Sequence, residues 1–375
     1  MKKKRKLKKS IKYLLILLII SIMSIGTFTY YNSPTTYLKG IGYKDKTIKV
    51  FKEKELIDKV KEYKYSSTLE KTIESNNFNI KYLYEYLKID YINKDDFINN
   101  INKLLDIGYS SDTINLIYKK LNDNNINIVI NKEYIKELNN YLSVNYFKEE
   151  YLEKYLNYNN KDNLDIETII TYVNIGLDNE FYTNVKIIEK PNDLNILVNK
   201  YNKLDKDYEP NDLEKIDSKY SYGEKKLRKE AKINFELMCK DAEKEGIYLK
   251  AGSTYRSYSY QENLYNRYVK RDGKKEADTY SARAGYSEHQ TGLAIDIMNN
   301  KEIYIDETET KNEYIWLVNN SYKYGYILRY PKEKEHITGY MFEDWHFRYF
   351  GEPLATELYN SKLTYEEYLA KKENI

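Results

Sequence analysis

Apolar residues recur at steps of three and four through much of residues 66–185, which is the spacing of amphipathic helices. The clearest stretches are residues 80–87, 97–105, 113–121, 134–142 and 151–158. Segments rich in Asn, Asp, Ser and Gly separate them, and a Tyr-Leu pair recurs at irregular intervals. The pattern predicts a mostly helical region over residues 33–189, with a weak indication of helix-pair repeats and no chemical constellation of its own.

A different pattern begins after the Lys-Pro-Asn-Asp break at residues 190–193, and we expect a second domain over residues 190–365. One helical face is formed by apolar residues at steps of four, four, three and four: Leu227, Ala231, Phe235, Met238 and Ala242. Gly246 is placed to end that helix, and the apolar residues 247–249 after it predict a strand.

Further helices and strands follow toward the carboxyl end. Residues 259–262 (Ser-x-x-Glu) and 310–313 (Thr-x-x-Glu) have the capping-box pattern and predict helices that end at Gly273 and near Gly325. Residues 326–330 then predict a strand, which a proline stops. Helices and short strands that do not strictly alternate predict an α+β fold with a small antiparallel sheet.

The amino terminus combines a basic stretch with an uncharged one. Residues 1–12 contain eight Lys or Arg and no acid, and residues 13–31 contain no charge. The length and the flanking charges predict a cytoplasmic tail over 1–12, a transmembrane anchor over 13–31, and a chain that is extracytoplasmic beyond it. A cleaved signal peptide is the alternative.

Removing those eight charges from the net charge of +3 leaves the remainder at −5, so no nucleic-acid partner is expected. The single cysteine, Cys239, excludes an internal disulfide, and its place in a helical pattern predicts a packed thiol.

Candidate chemistry comes from the histidines, of which the whole chain has only three. His289 lies shortly before Asp296, and His346 shortly after Glu343, in segments that otherwise have the pattern of buried strands. Any one of these residues alone is explained as a loop histidine or a salt-bridged acid. Together, two imidazoles and one carboxylate can hold Zn²⁺ with an open fourth position, while a second carboxylate handles protons on water. The residues therefore predict a hydrolytic zinc site, with no organic cofactor.

The strand pattern constrains how these residues can meet. Residues 293–297 alternate, which places Asp296 on the small-residue face, and Gly292 allows a close turn from His289. In a regular strand, Glu343 and His346 would lie on opposite faces, so we expect a turn or bulge at residues 344–345. Asp344 would then point away from the metal, and it is the main competitor of Glu343 for the role of base.

These residues carry a resemblance to a known family. Ser-x-His-x-x-Gly-x-Ala-x-Asp at residues 287–296, with Glu-x-Trp-His at residues 343–346, resembles the signature of the VanY-type D-alanyl-D-alanine carboxypeptidases, which are zinc peptidases. Residues 255–257 (Tyr-Arg-Ser) and 197–201 (Leu-Val-Asn-Lys-Tyr) also resemble that family's pattern. Family members often have proline after the glutamate, where this chain has Asp344.

The resemblance implies a role for each matching residue. Zinc is held by His289, Asp296 and His346. Glu343 acts as general base and acid, and Arg256 lies near the substrate carbonyl or terminal carboxylate. Substrate contacts are implied for Ser287, Gln261 and Ser257. His336, the remaining histidine, is expected to be a solvated loop residue.

The implied function is removal of the C-terminal D-alanine from peptidoglycan stem peptides at the cell surface by a membrane-anchored zinc carboxypeptidase. A DD- or LD-endopeptidase of peptidoglycan cross-links remains open, as does a non-catalytic wall-binding protein. A further alternative makes residues 66–185 the working part, as a partner-binding helical domain.

Overall fold

The computed structural model of the protein describes residues 9–31 and 33–372. The chain divides into two compact units, the first ending at Val144 and the second beginning at Asn145. Most of the predicted basic tail lies outside the described residues. The unit boundary falls inside the region 33–189, so the last part of the predicted helical spacer belongs to the same unit as the sheet.

Helix α1 spans Lys9–Tyr31 and includes the uncharged segment 13–31. Judged by length and hydropathy, none of the helices in the described ranges qualifies as a membrane span. The prediction of a transmembrane anchor over residues 13–31 is therefore not supported.

The rest of the first unit consists of short helices, as the periodicity predicts. They are α2 (Pro34–Gly40), α3 (Asp45–Glu53), α4 (Ile57–Val60), α5 (Ser67–Glu74), a 3-10 turn (Ile80–Tyr82), α6 (Leu83–Tyr86), α7 (Phe97–Ile107), α8 (Ser111–Lys120), α9 (Asp123–Ile130) and α10 (Leu138–Ser143).

Hydrogen bonds from main-chain amides to side chains recur at 23 or 26 residues of sequence separation in this unit. The donor and acceptor residues are Ser66 with Tyr43, Lys44 with Glu70, Ser111 with Glu85, and Ile135 with Tyr109. A recurring contact distance along the chain is typical of stacked helix pairs. It supports the repeats that the Tyr-Leu pairs only weakly indicated.

The second unit mixes helices and strands. Its helices are α11 (Leu152–Leu156), α12 (Ile166–Ile175), α13 (Lys229–Lys244), α14 (Tyr258–Asp272), α15 (Lys274–Tyr280), α16 (Lys311–Asn320), α17 (Glu335–Thr338), α18 (Glu352–Ser361) and α19 (Tyr365–Lys371). Its strands are β1 (Lys186–Ile187), β2 (Asn202–Lys203), β3 (Leu213–Lys215), β4 (Lys226–Arg228), β5 (Leu249–Ser253), β6 (Ala294–Asn299), β7 (Tyr326–Tyr330) and β8 (Glu343–Tyr349).

The ends of this unit reach beyond the predicted domain 190–365. Asn174 in α12 donates a side-chain hydrogen bond to the carbonyl of Ala370 in α19, at 3.2 Å. In α19, Glu366 is buried and paired with Arg329 of β7. Helices on both sides of the predicted boundaries therefore complete the unit that contains the sheet.

A four-stranded antiparallel sheet with the order β5-β6-β8-β7 forms the centre of the unit. Ile295 and Ile297 on one face of β6, with Leu293 just before the strand, enter the core, where they join the apolar face of α13. Two small sheets, β1–β2 and β3–β4, lie elsewhere in the unit. This is the α+β class with a small antiparallel sheet that the sequence predicts.

Several predicted elements are confirmed, and the starts of two helices are corrected. Strand β7 matches residues 326–330, and α14 ends before Gly273 as expected. Helix α13 begins at Lys229, because Leu227 lies in β4, although Leu227 is buried in the same core. Helix α14 is capped by Ser257 rather than Ser259, since Ser257 has the extended backbone that an N-cap requires.

Helix α16 follows Thr310 as predicted, but no capping bond forms there. The Thr310 hydroxyl instead bonds both main-chain groups of Asp306. The residue pattern therefore located this helix start without predicting how it is stabilised.

Candidate active site

The two central strands of the sheet bring the predicted metal ligands together. Asp296 in β6 pairs in register with His346 in β8, and His289 lies on the 3-10 helix Glu288–Thr291 just before β6. Asp296 Oδ1 is 3.2 Å from His289 Nε2 and 3.0 Å from His346 Nδ1, and all three residues are buried. One ligand atom from each lies within 4.8 Å of the others, a spacing that one ion can bridge.

Gly292 makes the turn from His289 into β6 possible. Its φ is +67°, and a Cβ there would lie 2.8 Å from the Leu213 side chain and 3.1 Å from Arg228. Only glycine meets both conditions without strain. Beyond the turn, the predicted alternation holds, since Asp296 faces the site while Leu293 enters the core.

The donor set fits zinc. His289 Nδ1 lies 2.7 Å from the main-chain carbonyl of Thr254, while the buried Nε2 makes no hydrogen bond within the described residues and lies next to the Asp296 carboxylate. Burial lowers the pKa of His289 to about 4, with Arg256 adding to the effect, so the imidazole is neutral at pH 7. A neutral imidazole with a free nitrogen beside a carboxylate is the ligand environment that Zn²⁺ prefers.

The electrostatics at His346 favour a cation. Burial opposes a charged imidazole, but the nearby carboxylates of Asp296, Glu288 and Glu343 outweigh it and raise the pKa of His346 to about 9. Three carboxylates around one ring therefore stabilise positive charge there, whether it is a proton or a metal ion.

A bulge in β8 lets Glu343 enter the same site as His346. Tyr330 pairs with Glu343 and Leu328 with Phe347, so two positions on β7 match four on β8. Glu343 Oε2 lies 3.6 Å from His346 Nδ1. The irregularity expected near residues 344–345 is therefore present, and it resolves the conflict between the two strand faces.

Glu343 has the surroundings of a proton-transfer group. Its side chain is 12% exposed. Burial raises the pKa of Glu343 to about 7, with Asp296 adding to the rise and His346 and Arg256 opposing it. A carboxyl group that titrates near neutral pH can both accept and donate a proton.

Asp344 points away from this group. Its Oδ2 accepts a hydrogen bond of 3.0 Å from the main-chain amide of Glu307. It is not among the residues that line the cleft. The geometry thus favours Glu343 over Asp344 as the base.

Arg256 lies on the loop between β5 and α14, at the edge of the metal site. Its guanidinium donates to Gln261 Oε1 at 3.0 Å and lies 3.6 Å from Asp296 Oδ2. Its main-chain amide donates to the His289 carbonyl at 3.2 Å. Arg256 Nε is buried and makes no hydrogen bond within the described residues, so the guanidinium is only partly paired, as a group that binds an anionic ligand would be.

The three predicted substrate residues differ in position. Ser287 lines the cleft and its hydroxyl accepts the amide of His289 at 3.4 Å, so it also braces the ligand loop. Gln261 lines the cleft and donates to the Ala282 carbonyl at 2.7 Å. Ser257 caps α14 and is not among the lining residues, so the structure gives it a helix-capping role instead.

A cleft of about 540 Å³ lies over these groups. Its wall includes aromatic residues that were not predicted as site residues: Tyr260, Tyr268, Tyr280, Tyr304 and Trp345. With 44 tyrosines in the chain, no single tyrosine carried a signal.

Sequence reasoning also missed the ion network behind the ligands. Glu288, next to His289, is fully buried, with Arg329 Nε and Arg348 Nη1 each 2.9 Å from its Oε1. Burial opposes ionisation, but the two guanidinium groups outweigh it and hold the pKa of Glu288 well below its usual range. Glu366 forms two further hydrogen bonds with Arg329. The available signal was an acid placed directly between two predicted site residues, Ser287 and His289.

The two remaining predictions concern His336 and Cys239. His336 is exposed as predicted, but it lies in the short helix α17 rather than in a loop. Cys239 is fully buried in the core of α13, and burial raises the pKa of its thiol.

Comparison with known proteins gives a consistent picture. The family model described as VanY, D-alanyl-D-alanine carboxypeptidase, matches residues 224–352. YodJ of Bacillus subtilis, a protein named for an inferred carboxypeptidase activity, is 38% identical over 216 residues, which cover 53% of this chain and 78% of YodJ. A D-alanyl-D-alanine carboxypeptidase of Enterococcus faecalis is 41% identical over 138 residues, which cover 34% of this chain and half of that protein.

Two solved structures are also similar. The LdcB LD-carboxypeptidase has 40% identity and a TM-score of 0.49, covering 52% of this chain and 93% of that chain. A VanY D,D-pentapeptidase in complex with Zn(II) has 32% identity and a TM-score of 0.42, covering 47% of this chain and 98% of that chain. From the family match and the YodJ relationship, together with the ligand set of the site, the chain belongs to the VanY family of D-alanyl-D-alanine carboxypeptidases, which are zinc peptidases.

Proposed function

We propose that this chain is a zinc-dependent carboxypeptidase that removes the C-terminal D-alanine of peptidoglycan stem peptides at the cell surface. The observation that carries the proposal is the meeting of three metal ligands, Glu343 and Arg256 in one cleft. The Enterococcus faecalis relative, named as a D-alanyl-D-alanine carboxypeptidase, supports the substrate class.

His289, Asp296 and His346 are the residues that would hold the zinc ion. When bound, zinc supplies Lewis-acid polarisation of a peptide carbonyl and lowers the pKa of water. Glu343 accepts the proton of the attacking water and passes it to the leaving amine. The pKa of about 7 suits both steps at neutral pH.

Arg256 supplies positive charge on the substrate side of the site. Its guanidinium is held in place by Gln261, which is itself held by the Ala282 carbonyl. Because the Gln261 bond uses only Nη1, the guanidinium keeps further N–H donors for a substrate anion in the cleft that Arg256 lines. That anion is the terminal carboxylate or the charge that develops on the scissile carbonyl.

The test is mass spectrometry of synthetic stem peptides after incubation with the zinc-loaded protein. We expect a pentapeptide ending in D-Ala-D-Ala to lose one alanine, and the Glu343→Ala variant to leave it intact. A tetrapeptide reports LD activity in the same assay. The proposal fails if neither peptide releases alanine while cross-linked dimers are cut internally, which would make the protein an endopeptidase.

A location outside the cytoplasmic membrane is part of the proposal, because peptidoglycan stem peptides are exposed there. The basic residues that precede the uncharged segment 13–31 are typical of exported proteins. Protease added to intact protoplasts should digest residues 190–365. Full protection of this region, with digestion only after lysis, would contradict the location.

A further inference from the structure

Two buried polar atoms behind the metal ligands face each other without a hydrogen-bond partner. They are Oε2 of Glu288 and Nε2 of His346, which lie 3.6 Å apart. The Glu288 side chain is 0% exposed and that of His346 is 4% exposed. Buried polar atoms rarely remain unpaired in folded proteins, so this pair calls for an explanation.

The orientation of the His346 ring explains why these two atoms face each other. Its other nitrogen, Nδ1, faces the site, 3.0 Å from Asp296 Oδ1 and 3.6 Å from Glu343 Oε2. A neutral imidazole has one N–H, so a ring that binds metal through Nδ1 carries its proton on Nε2. That proton is then carried by the nitrogen that lies 3.6 Å from the free oxygen of Glu288.

The surroundings of Glu288 leave that oxygen free and negatively charged. Arg329 and Arg348 both donate to Oε1, at 2.9 Å each, so they hold the carboxylate without occupying Oε2. Both arginines are at most 1% exposed. The carboxylate is therefore fixed in position by groups that do not themselves contact the ligands.

We propose that Glu288 is a positioning residue that accepts the Nε2 proton of His346 and so fixes the tautomer and ring orientation that bind the metal. This inference rests on the proposed zinc-dependent function. In other metal sites, a carboxylate that orients a metal-binding histidine contributes about 10- to 100-fold to metal affinity or activity.

The chain offers a matched control in Glu366. It is as buried as Glu288 and pairs with the same Arg329, at 2.7 and 2.9 Å. Its carboxylate also accepts a hydrogen bond from Asn199, so its two oxygens bond Arg329 and Asn199 rather than a metal ligand. Glu288→Gln and Glu366→Gln therefore remove the same charge from the same network, and only the first removes the acceptor that faces His346.

The experiment measures zinc affinity of the full-length variants by competition with a chromogenic chelator, using zinc alone. We expect about a 10- to 100-fold loss for Glu288→Gln and a change of less than about threefold for Glu366→Gln. Equal losses in both variants, or no loss in Glu288→Gln, would overturn the inference. Thermal unfolding of the two metal-free variants shows whether they are equally stable, so that a difference in zinc affinity is not a difference in folding.

A second readout uses the wild-type protein and does not depend on how the variants fold. In the Co²⁺-substituted protein, proton NMR should resolve two slowly exchanging imidazole N–H signals shifted by the metal. One belongs to His289, held by the Thr254 carbonyl, and the other to His346, held by Glu288. A single slow signal in the wild type would refute the role of Glu288. Neither measurement involves a peptide, so a failed cleavage assay would reject the proposed function separately.

Discussion

Glu343 illustrates how local burial prepares one side chain for chemistry. It lies beside His346, its carboxyl group is largely buried, and the pKa of about 7 follows mainly from that burial. Asp344, the neighbouring acid, is held by the main-chain amide of Glu307 and is directed elsewhere. We therefore expect substitutions of these two adjacent carboxylates to have different effects on activity.

Glu343→Ala should retain zinc and fold but lose turnover by about 10²- to 10⁴-fold, which is typical of general acid–base groups. Asp344→Ala is the matched control and should stay active. Both are measured by the rate of alanine release and by zinc content. An inactive Asp344→Ala beside an active Glu343→Ala would mean that the bulge directs the other acid into the site.

The ligand histidines can be tested against the third histidine of the chain. Wild-type protein should bind about one zinc per chain, and His346→Ala should lose most of it. His336→Ala, at an exposed position, should bind zinc like the wild type. Added zinc should raise the thermal midpoint of the wild type and of His336→Ala only, because a ligand that binds the native state stabilises it. Unchanged zinc in both His289→Ala and His346→Ala would reject the site.

Arg256→Lys keeps the charge but loses the planar fork that lies between Gln261 and the cleft. We expect kcat/KM on the free-carboxylate peptide to fall about 10- to 100-fold, in line with the ~1.5–3 kcal/mol of hydrogen bonds to charged groups. Zinc content should not change. Arg256→Ala cleaving at the wild-type rate would place carboxylate recognition elsewhere. If the wild type cuts both the free-carboxylate and the amidated peptide, and Arg256→Ala fails equally on the two, the arginine stabilises the transition state instead.

Among the elements, β8 and the turn before β6 decide the geometry of the site. The bulge in β8 brings residues three positions apart to one cleft. The turn at Gly292 places the 3-10 helix that carries His289 against the start of β6. Both are departures from regular structure at the point where the chemistry lies.

Substitution of Gly292 tests the importance of the turn before β6. Gly292→Ala should lower the free energy of unfolding by about 1–3 kcal/mol and weaken zinc binding, since the substitution adds strain and a collision with Leu213. Gly223→Ala is the control, because Gly223 has a similar φ of +70° but no atom within 4 Å of an added Cβ. Urea unfolding of both variants separates backbone strain from collision. Equal effects would show that packing around Gly292 is not critical.

For the molecule as a whole, the boundary at residue 145 separates the short helices of the first unit from the site. The second unit includes α12, which bonds to α19, and α19 in turn carries Glu366 of the buried ion network. Truncation at residue 190, the boundary predicted from the sequence, would remove α12. The first unit contains none of the predicted site residues.

A chain of residues 145–375 should therefore fold, bind zinc, and release alanine within about threefold of the full-length rate, as expected of a self-contained domain. A chain that starts at residue 190 should be less stable by urea unfolding, because α19 loses its contact with α12. Loss of activity in the longer chain, with zinc retained, would give the helical unit a part in substrate handling.

Much of the site followed from the sequence because its signals are local. The period-two pattern of residues 293–297 located β6 and assigned Asp296 to the site face, and helical spacing identified the core face of α13. The scarcity of histidine made His289 and His346 informative. The conflict between strand faces at Glu343 and His346 was itself enough to predict the bulge.

The tertiary structure decided what depends on distant residues. Glu288 lies 41 residues from Arg329 and 60 from Arg348, so no local pattern could pair them. The same holds for Asn174 and Ala370, 196 residues apart, whose contact extends the unit beyond the predicted domain. Spacing along the chain determines which face a side chain takes, but burial and charge pairing depend on which faces the fold brings together.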